Sequence, residues 1–470
     1  MTGGEALRNL RHKVARASPK NYVLLGVWVM VALLVAAAVR MANVSGLIAG
    51  LCGGAVMLVC WGRPRLAFCV WLTSVTMVPI WISVHVLANV PIHCVVAVMA
   101  VAATIGRSNV KFSVFDAYFI AFLTVAMLAV YLDNSNAALW AQMVVRWAIP
   151  FLAIRVLVSC TGMKFAVDAV AVAFALVGAF AVVEFVMAWH PFVNWNYYTP
   201  EFAAWHPIQT RGGLDRSEWA FGHSIALGGS LALSIPFILR SSFSRAWRAL
   251  FLVFVVAGIV TTASRGSLIA AGLTGAICLI YASKQPAVRS TMVVLVLVSA
   301  MIVGPLIAPI LQTWALGSSN EEQGSANYRN DLYSTYLPAI QWFGRSPSYH
   351  TDGSEAQSID SAILRIGLEF GWLVLALALA PLVVVLVRVV LGRASTAEIG
   401  LLGQVPLFAT VALITQYESI VFMVAGLAVQ SAVVQRNKHV PAAAPMADRV
   451  DGVDLRRPKP LVAAYFERYE

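Results

Sequence analysis

Charge is scarce in this chain. Asp, Glu, Lys and Arg make up 12% of its 470 residues and apolar residues 60%, too little polar surface to cover a soluble globule of this size. Metal-ligand spacing is missing too: His85 and His93 stand apart near one turn and no paired His/Cys pattern occurs, so no metal is expected. No Gly-rich phosphate loop is present, which argues against a nucleotide held on the cytoplasmic side, and no cofactor is expected. All six cysteines (Cys52, Cys60, Cys69, Cys94, Cys160, Cys278) fall inside apolar runs or at their inner edges, so no disulfide is expected in the outer loops. Nor is a cleavable signal peptide expected, because the first apolar run is a full span behind a basic tail.

What the chain does have is apolar runs of about 20 residues, the length a helix needs to cross the hydrocarbon core. The expectation is an all-α, polytopic helical membrane protein with about 12–14 transmembrane helices. Fourteen spans are read, at 22–39, 44–61, 66–87, 91–106, 114–132, 137–158, 165–189, 219–239, 247–263, 266–283, 290–311, 361–387, 399–416 and 419–435. The domain reading is a basic cytoplasmic tail over 1–20, a transmembrane domain over 21–436, and a disordered cytoplasmic tail over 437–470. Clusters such as Arg8 to Lys20, Arg63/Arg65, Arg240/Arg245/Arg248 and Arg388/Arg393 mark the cytoplasmic side. Both termini are therefore expected inside, and the protein in the cytoplasmic (inner or plasma) membrane. The net charge of +11 is mostly this topology signal, with some attraction to anionic lipid, and gives no argument for nucleic acid.

Two outward connections are long, 190–218 and 312–360, and long loops on a rigid scaffold commonly carry binding and chemistry. In the second, Tyr328, Leu332, Tyr336 and Ile340 recur at fourfold spacing, predicting an amphipathic helix on the membrane surface that ends at Gly344. The first is rich in Trp and Tyr, which fits either an interfacial belt or stacking against sugar rings.

All but eight of the 33 Lys and Arg lie on the inner side, and the eight are all arginine: Arg40, Arg146, Arg211, Arg216, Arg265, Arg329, Arg345 and Arg365. Guanidinium suits bidentate recognition of an oxyanion, and arginine is costly at a membrane, so this clustering is the best clue to function. Arg40 ends a span and snorkels. Arg146 and Glu184, on adjacent spans, are expected to form a buried structural ion pair in preference to contacting a ligand. The other six flank the long loops and form an outward basic pocket suited to a lipid pyrophosphate if the helices bring them together. Near that pocket stand Asp215, Glu218, Asp331, Asp360 and Glu369, with His223. Glycosyl transfer from a lipid pyrophosphate needs a base for the acceptor hydroxyl and positive charge for the leaving group. Asp360, where the second loop re-enters the membrane, suits the base if partial desolvation raises its pKa, and equally suits the N-cap of the next helix.

Three stretches, RSEWAFGHSIALGGSLALSIPF (216–237), TTASRGSLIAAGL (261–273) and YRNDLYSTYLPAIQWFGRSP with IDSAILRIGLEFGWL (328–347 and 359–373), resemble the O-antigen ligase and polymerase family in order and in membrane side. The resemblance implies a metal-independent transfer of a glycan from undecaprenyl pyrophosphate to an acceptor on the outer membrane face. It implies that Arg216 and Arg329 match the family's two functional loop arginines and Arg265 that of its Thr-x-Ser-Arg-Gly turn, with Arg211 the alternative if the first register shifts. The family's loop histidine aligns with Asp360, followed by Ser361 where asparagine is usual, which leaves room for a polymerase or for a ligase acting on another acceptor.

The expected reading is thus an inverting membrane glycosyltransferase of cell-surface polysaccharide assembly. Asp360, Arg216 and Arg329 are catalytic; Arg211, Arg216, Arg265 and Arg329 bind pyrophosphate; Asp215, Glu218, His223 and Glu369 bind sugar or give support. Expected partners are a polyprenyl-pyrophosphate-linked saccharide, an acceptor glycan or lipid, membrane lipids and other polysaccharide-assembly proteins. A flippase for a lipid-linked saccharide and a noncatalytic assembly scaffold are the competing classes.

Overall fold

The computed structural model describes residues 53–85, 89–133, 135–195, 200–211, 213–282, 331–347 and 359–439. The expected spans 22–39 and 290–311, the start of 44–61, and both Arg40 and Arg329 lie outside them. The chain divides into a unit ending at Ala432 and a second beginning at Val433, of which only the helical stretch to His439 is described.

Besides helical stretches at 53–60 and 331–336, the described helices are α1 (Pro64–Met77), α2 (Ile92–Thr104), α3 (Val114–Asp133), α4 (Ala137–Met143), α5 (Ile149–Thr161), α6 (Met163–Met187), α7 (Pro200–Trp205), α8 (Ser224–Arg240), α9 (Arg245–Thr261), α10 (Arg265–Ala282), α11 (Ala362–Val390), α12 (Thr396–Leu402), α13 (Val405–Thr410) and α14 (Thr415–His439). A π-helical turn, Val144–Ala148, joins α4 to α5 without a break. Two short antiparallel hairpins, Ser83–His85 with Asn89–Pro91 and Thr210–Arg211 with Leu214–Asp215, are the strands among the described residues. Five helices are long and apolar enough to cross a membrane, and Ile92–Arg107, Ser224–Arg240 and Arg265–Tyr281 are shorter apolar ones. The protein is therefore an all-α, polytopic helical membrane protein, as its hydropathy indicates.

Several elements differ from the expected spans, each for a local reason. The run 66–87 is helical only as far as Met77, because Pro79 follows and the chain turns into the first hairpin. The run 399–416 is α12 followed by α13: Gly403 and Gln404 end the first, and Pro406, tolerated in a first helical turn, starts the second. Of the surface helix expected over 327–344, residues 327–330 lie outside the described ones, and the described part is helical over 331–336 and no further, since Pro338 cannot continue it. Its apolar residues Leu332 and Ile340 are buried against Leu364, Leu368 and Leu375 of α11 and do not lie on lipid.

Helix α11 is broken at Gly371, whose φ of 87° is left-handed. Carbonyls freed by a break inside a membrane must find donors in the protein. Here residues 341–346 run alongside: the Gly344 and Ser346 amides donate to Phe370 O (3.1 Å) and Leu368 O (2.8 Å), and the Trp372 amide donates to Gln341 O (2.8 Å). A Cβ on Gly371 would stand 2.7 Å from Phe343 Cα. Gly371→Ala is expected to cost roughly 1–3 kcal/mol through left-handed strain and that clash, read as a lowered unfolding temperature in detergent.

Helices α6 and α9 cross at Gly178 and Gly258, where a Cβ on Gly178 would lie 2.6 Å from Phe254 O. Small residues let two membrane helices approach this closely. The crossing sets the C-terminal ends of α6 and α9 side by side, next to the N-terminal ends of α8 and α10, and the site is built across these four ends.

Candidate active site

The first long loop holds α7 and the 210–215 hairpin, then docks onto the helix ends through its main chain. The Arg216 amide donates to Gln209 O (3.0 Å) and the Ser217 amide to Thr261 O (3.1 Å). The Ser217 hydroxyl donates to Ala181 O (2.8 Å), so one buried residue ties the loop to both α6 and α9. The amides of Glu218 and Trp219 donate to Glu184 Oε2 (3.1 and 2.7 Å). Trp219 then stacks on Phe180 at 4.7 Å between ring centres, so this aromatic serves packing.

Three guanidinium-bearing residues surround the turn between α9 and α10. Arg216 donates from Nε to Thr262 O (2.8 Å) and from Nη1 to Gln209 Oε1 (3.4 Å). Arg211 donates from Nη1 to Ala263 O (3.3 Å), and Arg265 is the first residue of α10. Ala263 has φ 47°, uncommon for a residue with a side chain and of the kind that collects at functional sites. The partial positive charge of two helix N-termini, α8 and α10, falls at the same place. Burial first, and Arg211 beside it second, bring the Arg216 guanidinium down from 12.5 to about 10. No carboxylate lies within ion-pair distance of Arg216 among the described residues. Such a guanidinium, half-buried beside a like charge, is stabilised by an incoming oxyanion.

Glu218 is buried next to this cluster, with Oε1 accepting the Gln209 amide (3.0 Å). Burial, the largest cause, raises its pKa from 4.5 to about 7. Nearby, His190 Nδ1 meets Glu184 Oε1 at 3.0 Å and Nε2 stands 4.0 Å from Asp215 Oδ2; the bond to Glu184 leads in raising its pKa above 6.5. Both groups hold protons more tightly folded than unfolded, so both stabilise the loop below their unfolded pKa values. That stability fades as pH rises, from 4.5 to about 7 for Glu218 and from 6.5 upward for His190. Thermal unfolding of Glu218→Gln is accordingly expected to depend less on pH between 4.5 and 7 than wild type does; parallel curves would refute this.

Other expected site residues fall in distinct places. Asp360 is exposed, against the desolvation expected of it, and Ser361 rather than Asp360 caps α11, accepting the Leu364 amide. The Ala362 amide donates to Val411 O (3.1 Å), while a Cβ on Gly266 would stand 4.0 Å from Thr410 Oγ1. The 410–411 segment therefore lies beside the first turns of both α10 and α11. His223 caps α8, its Nδ1 accepting the Ile225 amide (3.2 Å), and Asp215 is an exposed residue of the hairpin. Glu369 is buried, with Asn136 Nδ2 donating to Oε1 (3.2 Å) and Arg345 Nε 3.6 Å from Oε2, so it supports α11 and engages Arg345.

The expected Arg146–Glu184 pair does not form. Arg146 Nη1 instead meets Glu418 Oε1 of α14 at 2.8 Å, and Glu418 also accepts from Gln142 Nε2 (3.0 Å) and Trp147 Nε1 (3.0 Å). The π-helical turn shifts Arg146 and Trp147 relative to α4, which lets both reach one carboxylate. Glu184 serves the loop amides and His190. Glu418, His190, Gln209, Ser217 and the Thr262 carbonyl are participants that sequence reasoning did not single out. Only Glu418 carried a signal, as a lone carboxylate at the start of an apolar run. Groups of three or more His, Cys, Asp or Glu placed to hold a metal are absent among the described residues.

Arg211 and Arg216 thus stand together at the ends of apolar helices, beside the turn that leads into Arg265, a grouping of guanidinium side chains whose chemistry suits an oxyanion. Residues 250–379 match the family model described as O-antigen ligase, which supports membership of the O-antigen ligase family and a glycan-transferring role in polysaccharide assembly. The matched segment contains Arg265, Arg329, Asp360 and Glu369; the hairpin with Arg211 and Arg216 lies before it. No curated protein and no solved structure matches the chain.

Proposed function

We propose that the protein transfers a glycan from a polyprenyl-pyrophosphate carrier to a saccharide or other acceptor on the outer face of the cytoplasmic membrane. The observation that carries this reading is Arg216, half-buried beside Arg211 above the turn that leads into Arg265. These groups hold the pyrophosphate, and Arg329, which lies outside the described residues, is assigned to the same task by the family resemblance alone. An apolar cleft of about 200 Å³, lined in part by Phe119, Phe122, Phe151, Ile366 and Phe422, suits the polyprenyl tail.

In the reaction the acceptor oxygen attacks the anomeric carbon as the carbon–oxygen bond to pyrophosphate breaks, and the departing oxygen takes the electron pair. The guanidinium groups stabilise the charge that develops there. Asp360, exposed and within the same end of the bundle, takes the proton of the acceptor hydroxyl. Attack opposite the leaving group inverts the anomeric centre. Glu218 supports the loop through Gln209, which in turn orients Arg216.

Incubating the purified protein with one lipid-pyrophosphate oligosaccharide, with and without a second acceptor, tests this reading. A ladder of products marks a polymerase and a single shifted band a ligase. Labelled lipid that crosses reconstituted vesicles chemically unchanged would mark a flippase and end the transferase proposal.

A further inference from the structure

At the opposite ends of α8, α9 and α10 from the guanidinium cluster, a cavity of about 590 Å³ opens among Leu239, Arg240, Arg248, Tyr281, Val389 and Thr396. Helices of 17 residues separate the two places by roughly 25 Å at about 1.5 Å per residue. Its wall over 391–395 is fixed by the Ala394 amide donating to the Tyr281 hydroxyl, and by Arg388 paired with Glu398. Two cations face it. Arg248 donates from Nη1 to Leu239 O (2.9 Å), while its Nε is buried without a hydrogen-bond partner among the described residues. Arg240 ends α8, exposed, and neither arginine meets a carboxylate among the described residues. The lipid-side flank is apolar and open, with Ile280 at 71% and Val390 at 76% exposure.

We propose that this cavity binds the headgroup of an anionic phospholipid, with the phosphodiester between Arg240 and Arg248 and the acyl chains along Ile280, Val389 and Val390. Cations at a helix-end cavity next to open apolar surface match a phosphate joined to hydrocarbon, as basic pockets between membrane helices do. A zwitterionic lipid fits less well, because its ammonium group meets the same two guanidinium groups. With basic clusters facing the cytoplasm, the lipid comes from the inner leaflet, far from the reacting groups. The site is thus separate from glycan transfer and is tested by binding.

Delipidated full-length protein in neutral detergent is titrated with phosphatidylglycerol or phosphatidylethanolamine, and bound lipid is counted by native mass spectrometry. Phosphatidylglycerol is expected to bind selectively. Arg240→Ala weakens it about fivefold and Arg240→Ala/Arg248→Ala about thirtyfold, each cation near the surface contributing roughly fivefold. Arg245→Ala, at an exposed residue on the same face but outside the cavity, leaves binding unchanged. The single Arg240→Ala variant removes no hydrogen bond among the described residues, so it decides the matter if the double variant fails to fold. The proposal is overturned by equal binding of phosphatidylethanolamine, by unchanged binding in Arg240→Ala, or by an equal loss in Arg245→Ala. Displacement of the lipid by millimolar inorganic phosphate overturns it too, since that marks a site for free phosphate.

Discussion

Arg216→Ala lowers the rate of glycan transfer by about 10²–10³-fold, the usual cost of deleting one preorganised donor to charge that develops in a transition state. The loss is expected in the turnover rate at saturating acceptor, because the proposed mechanism sets the guanidinium against the departing pyrophosphate and not the acceptor. The fold survives: the substitution removes hydrogen bonds to Thr262 O and Gln209 Oε1, worth on the order of 1 kcal/mol each, while the loop stays tied by Ser217 and Glu184. Arg216→Lys keeps a charge and loses the planar fork, so it falls between wild type and alanine. A folded Arg216→Ala protein that transfers glycan at the wild-type rate would sink the mechanism.

Glu418→Ala has the largest expected effect on stability, about 3–5 kcal/mol, because it strands a buried guanidinium. Arg146 is 11% exposed at its side chain and Glu418 1%, and Gln142 and Trp147 lose the same acceptor. Three elements meet there, α4, the π-helical turn and α14, so the damage spreads to all of them together. Glu418→Gln, which keeps an accepting oxygen, costs less, and Arg146→Met combined with Glu418→Leu recovers part of the loss by removing both charges. Thermal unfolding in detergent reads all three. A Glu418→Ala protein as stable as wild type would show that the cluster contributes nothing to the fold.

Much of this architecture was legible in the sequence, because period and length report burial in lipid directly. Arg211 and Arg216 stand beside the turn that leads into Arg265, a placement that short connections between helix ends allow. What failed was pairing. Arg146 and Glu184 lie on neighbouring spans, but proximity in sequence says nothing about which helix face each occupies, and a π-helical turn rotates Arg146 toward α14. The true partner, Glu418, is 272 residues away. Fourfold spacing over 327–344 picked out Leu332 and Ile340, which are buried against α11 and not laid on the membrane surface, and it set the helix end too late, because Pro338 outweighs the pattern. Asp360 and Ser361 were equally good caps by type; the structure selects the serine, which leaves the aspartate outward. Gln209 and the Thr262 carbonyl carry no sequence signal, being defined by the path of the loop.

Ser217 donates its hydroxyl to one membrane helix and its amide to another, next door to Arg216. The guanidinium proposed to hold the donor is thereby moored to two helices of the scaffold. On the proposed function, substitutions elsewhere in the loop can then alter acceptor choice without moving the point at which the lipid carrier would be held.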